Sequence, residues 1–138
     1  MYFSQIQMKE VSVKVLYYKL GEVEERKLER ILTGKVYLYD IGVTHMEVAN
    51  FTDQIDENAV FWLTPTKKYL DGLFQLFNSD KNPILADEDK MREIKAGKSH
   101  TSMSVGDVVV LQDKTFQEYW RLDNNGWQLF TRNRIDFW

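Results

Sequence analysis

The chain contains no cysteine. Disulfides, thiolate metal sites and cysteine nucleophiles are thereby excluded, and a reducing compartment is permitted. Histidine is nearly as scarce, with only His45 and His100. A metal site would have to join one of them to carboxylates from distant segments, and neither shows ligand spacing. No apolar run approaches the ~18 residues of a membrane span. The opening stretch, Met1 to Met8, has neither a basic region nor an apolar core, so no signal peptide is expected. There is no internal repeat, low-complexity tract or linker. Nor does one sign of charge dominate: 18 basic and 21 acidic side chains leave a formal charge of −3. A dedicated duplex-DNA binder carries a basic surplus, and the acidic surplus here is too small for a DNA mimic. The expectation is a soluble cytoplasmic protein with no membrane segment, no cofactor and no metal.

What is present suffices for a core. The 138 residues fit a single domain, 1–138, and 43% hydrophobic content is too high for a disordered chain. Eight Phe, seven Tyr and four Trp exceed what a small core needs, which favours a binding surface. Val11, Val13, Val15 and Tyr17 alternate with Ser12, Lys14 and Leu16, predicting a strand with one apolar face. Ile6 and Met8 have the opposite parity, so a bulge or turn is expected near Lys9-Glu10. Glu22 to Thr33 reads as a short helix closed by Gly34. Lys35 to Asp40 and Val43 to Ala49 read as strands, Asn50 to Asn58 as a loop or short helix, and Ala59 to Thr64 as a further strand.

Thr64-Pro65 is a helix start, followed by Tyr69, Leu70, Leu73, Phe74 and Phe77 at helical spacing, an apolar stripe expected in the core. The charged stretch 84–101 holds a short helix with Met91 and Ile94, and is the candidate for a mobile insertion. Val105-Gly106-Asp107 forms a tight turn leading into Val108 to Leu111, a run suited to a strand buried on both faces. Gln117 to Leu122 and Trp127 to Phe130 flank Asp123-Asn-Asn-Gly126, a hairpin signal. The tail to Trp138 ends on two aromatics and is expected to dock. The sum is an α+β domain with a mainly antiparallel sheet of about seven strands and two or three helices.

Few groupings suggest chemistry. Ala96-Gly-Lys-Ser99 is similar to the end of a phosphate-binding loop, but Arg92 stands where its first glycine belongs and no apolar strand leads in. His100 lies among Ser99, Ser102 and Ser104, whose hydroxyls more simply satisfy a turn. The acidic clusters Asp53, Asp56, Glu57 and Asp87, Glu88, Asp89 read as solvated loops and helix starts. Tyr119 and Trp120 are adjacent on a strand and so face opposite sides of the sheet. With Arg121, Trp127, Arg132 and Arg134 they make the candidate binding residues, joined by His100. No residue is nominated as catalytic or metal-binding.

Leu70-Asp-Gly-Leu-Phe-Gln-Leu-Phe-Asn78, then His100-Thr-Ser-Met-Ser-Val-Gly-Asp-Val-Val-Val-Leu111, then Tyr119-Trp-Arg-Leu-Asp-Asn-Asn-Gly-Trp127 resemble the YodL-like domain in order and residue type. The resemblance spans residues 70–130. The spacer before the serine motif is long, and Asn124-Asn125 replaces the usual small residue. The resemblance implies an element-encoded accessory protein of phages or plasmids, with no established activity or cofactor. The turn before Val108 also resembles the lead-in to a barrel strand in small β-rich RNA-binding domains. The expected function is non-catalytic binding of a host or element-encoded protein, inhibiting a host defence system. The alternative is a nucleic-acid-binding module built on the hairpin aromatics and arginines. A small hydrolase or nuclease using the carboxylates is the third class.

Overall fold

Val11, Val13, Val15 and Tyr17 occupy alternate positions of β1 (Met8–Tyr18), and all four are fully buried. The β-branched valines suit a pleated surface packed on one side. The computed structural model, which describes residues 8–19, 41–56 and 63–135, places this strand inside a five-stranded sheet. β2 (His45–Asp56) pairs antiparallel with β1 on one side, and β3 (Val108–Gln112) does so on the other. β4 (Phe116–Asp123) and β5 (Gly126–Arg134) continue the antiparallel sheet, giving the order β2-β1-β3-β4-β5. Two helices complete an α+β architecture: α1 (Leu63–Phe77) and α2 (Glu88–Glu93).

The main core lies on the helix side of the sheet. Leu70, Leu73 and Phe77 of α1 join Val11, Val13, Val15, Val109, Leu111, Trp120 and Trp127 there. Val108 and Val110 point the other way, into a smaller cluster with Ile41, Leu16, Tyr119 and Phe130. β3 is therefore apolar on both faces because both faces are covered, as its unbroken valine run anticipates.

Five strands stand against the seven expected. Of the other two, 35–40 lies outside the described residues, as does the helix at 22–33. The second, 59–64, is described only at Leu63 and Thr64, which belong to α1. The loop or short helix expected from Asn50 is instead strand as far as Asp56. Val43 and Thr44 close a single helical turn, Ile41–Thr44, before β2 begins. No irregularity occurs at Lys9-Glu10, where Met8 to Val15 pair in unbroken register with Asp56 to Ala49. The register breaks instead between Val15 and Leu16, which face Ala49 and Glu47 and leave Val48 as the extra residue. A bulged residue shifts side-chain parity, so Met46 and Ala49 both lie on the β1 core face, opposite Tyr17 and Val15. A second bulge leaves Phe130 extra on β5, between Thr131 and Leu129, which face Tyr119 and Trp120.

Phe74 also departs from expectation. It is 37% exposed, outside the Leu70, Leu73, Phe77 stripe that fills the core. The stretch 84–101 buries Ile84 and Ile94 in that core. It opens with a 3-10 turn, Pro83–Ala86, held by Asn82: its Oδ1 accepts from the Ile84 amide, while its Nδ2 donates to the carbonyls of Phe77 and Thr101. Among the described residues no helix is long and apolar enough to cross a membrane.

Candidate functional site

Two polar clusters sit at opposite ends of the sheet. The first gathers around Asp107, which the lead-in turn delivers to the end of β1. Gly106, at φ 99°, donates its amide to the Leu122 carbonyl at 2.8 Å, and Leu122 donates back to the Asp107 carbonyl at 2.9 Å. Asp107 is fully buried. Its Oδ1 accepts from the Tyr18 amide (3.1 Å), and its Oδ2 from the Ser104 amide (2.7 Å) and from His100 Nε2 (3.0 Å). Burial pushes the Asp107 carboxyl above its ordinary range, against the opposing pull of His100 and the two amides. His100 stacks on Tyr17, ring centroids 4.7 Å apart, and is flanked by Tyr18. Burial, then the Asp107 charge, push the Tyr17 phenol up; its hydroxyl donates to the Thr101 carbonyl.

Ser99, His100 and Asp107 have the composition of a hydrolytic relay, with Ser99 Oγ 3.3 Å from Nδ1 and Asp107 on Nε2. Their roles differ from one. The Ser99 hydroxyl is buried and donates to the Tyr18 carbonyl at 2.9 Å, so no substrate carbonyl can reach it. Ser104 Oγ lies 3.2 Å from the same Nε2 that Asp107 uses. The side-chain bonds of Ser99, His100, Ser104 and Asp107 tie the 99–107 loop to β1 or to itself. His45 adds one more tie: its Nε2 donates to the Gly106 carbonyl at 2.7 Å, with Thr44 Oγ1 at Nδ1. Gly97, at φ 85°, lies in the widened last turn that follows α2. A phosphate loop opens a helix, whereas Ala96-Gly-Lys-Ser99 closes one.

The second cluster lies at the start of β4. Glu118 shares the core parity of Trp120 and Leu122 and is fully buried. Its Oε1 accepts from the Trp120 indole at 2.9 Å, and its Oε2 is 3.3 Å from Arg132 Nε. Burial pushes the Glu118 carboxyl up; Trp120 and Arg132 oppose this, and the nearby Asp113 reinforces it. The Arg132 guanidinium lies 4.0 Å from the centre of the Phe116 ring. Beside it Asp113 is paired with Lys9 and accepts from the amides of Thr115 and Phe116, both at 2.7 Å. Burial works against ionisation there, but Lys9 and the two amides outweigh it and hold the Asp113 carboxyl below its usual range.

The candidate binding residues divide. Trp120 and Trp127 are 1% and 3% exposed and belong to the main core. Tyr119 packs on the opposite cluster, and Arg121 lies there 5.9 Å from the Phe130 ring centre and 3.8 Å from Asp123. His100 is bound into the Asp107 clasp at the far end. Only Arg132 and Arg134 are exposed, and they sit on β5. That strand pairs with β4 alone among the described residues. It also carries Leu129, which lies opposite buried Trp120 yet is 38% exposed. Sequence reasoning passed over Glu118 and Asp113. The parity of Glu118 with Trp120 and Leu122 was a usable signal for the first, and the Asp-Lys-Thr turn spacing for the second.

The acidic clusters resolve into structure where described. Asp87 caps α2 through the Lys90 amide, with Glu88 and Asp89 in the first turn. Asp53 accepts from the Tyr69 hydroxyl at 2.6 Å; Glu57 lies outside the described residues. The segments carrying the YodL-like resemblance are bonded together, Asn78 donating to the carbonyls of Phe74 and Met103. No protein-family model, curated protein or solved structure matches the chain.

Proposed function

We propose that the protein acts by binding another protein, without chemistry of its own, and that the outer part of the β4–β5 hairpin is the contact surface. The observation that carries this reading is Leu129. An apolar side chain on the helix-side face, beside a strand edge that has no strand partner among the described residues, remains 38% exposed, and such exposure favours a partner. The resemblance to the YodL-like domain supports an accessory role in a phage or plasmid, with a host or element-encoded protein as partner and inhibition of a host defence system as the outcome. A nucleic-acid role has less to stand on. Trp120 and Trp127 offer no face for a base to stack on, and Arg121 is engaged by Asp123.

The test is purification of the tagged protein from a bacterial host, beside a Leu129→Glu variant. A stoichiometric protein partner is expected with the parent chain and not with the variant, whose melting temperature stays unchanged because the site is at the surface. Recovery of nucleic acid alone, released by salt, overturns the reading.

A further inference from the structure

We infer that the outer edge of β5 receives an extended acidic segment of the partner as a sixth strand, an inference that rests on the protein-binding reading above. The main-chain amides and carbonyls on the side of β5 away from β4 have no strand partner among the described residues. An extended peptide meets them with the hydrogen bonds a sheet already uses. The side chains select its charge. From Gly126 to Arg134 the strand has no acidic residue, and Arg132 and Arg134 sit two apart, on one face. Arg132 is preordered: its plane rests on the Phe116 ring and its Nε faces Glu118, which leaves the terminal nitrogens of the fork directed elsewhere. A carboxylate meeting an arginine already fixed in this way costs less side-chain entropy to bind.

The opposite edge makes the choice sharper. β2 carries Glu47, Asp53 and Asp56 and no arginine or lysine, so an acidic strand is repelled there and attracted at β5. The bulge at Phe130 limits the length of flat edge on offer. The fitting ligand is therefore short. It has acidic side chains at alternate positions facing Arg132 and Arg134, and an apolar one further along that same face, toward Leu129.

The probe is a peptide of about ten residues with two Glu at alternate positions, Val next along that same face and Thr between them, against the same peptide with Lys for Glu, on the full chain. The acidic peptide is expected to bind about tenfold or more tighter than the basic one, more weakly as salt is added, and to slow amide exchange along β5. Arg134→Glu is expected to reduce that binding about tenfold, and Arg132→Glu likewise if it folds, while Glu47→Lys leaves it unchanged. Equal binding of both peptides, no binding of the acidic one, or protection at β2 instead of β5 overturns the inference. A protein partner that is lost with Leu129→Glu but retained with Arg134→Glu leaves the protein-binding reading standing and removes this one.

Discussion

At the scale of single residues, Asp107 shows why a carboxylate is needed. All of its bonded partners, the amides of Tyr18 and Ser104 and the Nε2 of His100, approach as donors. An asparagine would keep the shape and turn a donor toward donors. Asp107→Asn is expected to cost about 2–3 kcal/mol in urea unfolding at pH 7, and Asp107→Ala at least as much. Glu118 behaves differently because its partner is at the surface. Its carboxyl is raised in the folded chain, so its contribution is fully present below the unfolded value and is lost as pH rises through the folded one. Glu118→Gln keeps an acceptor for the Trp120 indole and removes that loss. The variant is expected to match the parent near pH 4 and to be the more stable of the two at pH 7. Arg132→Ala has the opposite sign: about 2 kcal/mol less stable at pH 7, with the deficit shrinking on acidification. Denaturant titrations at the two pH values check both. The turn role of Asp107 was legible, since Val-Gly-Asp before a valine run is local chemistry. The parity of Glu118 with Trp120 and Leu122 was legible too, but not that this side of β4 is the dry one, which depends on where α1 packs.

At the scale of elements, regular periodicity was readable and interrupted periodicity was not. β1, β3 and α1 repeat their spacing without a break, and the chain folds as that spacing predicts except at Phe74, which lies outside the buried stripe. β2 changes parity at Val48, so a twelve-residue strand reads as a short strand and a loop. The hairpin was read around Asp123-Asn-Asn-Gly126, where the structure has it, while its aromatics were named as candidate binding residues. Alternation says that Tyr119 and Trp120 face opposite ways, and both faces of this sheet are covered near them. Two glycines give a paired test of element stability. A Cβ at Gly72 or at Gly126 meets nothing within 4 Å, so backbone conformation alone decides. Gly72 lies inside α1, and Gly72→Ala is expected to stabilise by about 0.5–1 kcal/mol. Gly126 has φ 106°, and Gly126→Ala is expected to destabilise by about 1–2 kcal/mol. Thermal melts of the two variants should shift in opposite directions.

At the scale of the whole molecule, the sheet formed by the described residues has three inner strands and two bulged outer ones. Slowest amide exchange is expected in β1, β3 and β4, with β2 and β5 exchanging faster toward their outer sides. Uniform protection across all five strands would contradict this layering. The strand order has a further consequence, for the chain while it is being made. β1 finds β2 within the first 56 residues, but its other neighbour, β3, begins at Val108. At ribosomal speeds that gap takes roughly 3–10 s to synthesise. For those seconds the valine strand that ends in the middle of the finished sheet is itself an unguarded border, straight and without a bulge on its own chain. The nascent protein is open to strand addition on a side that the completed one has sealed.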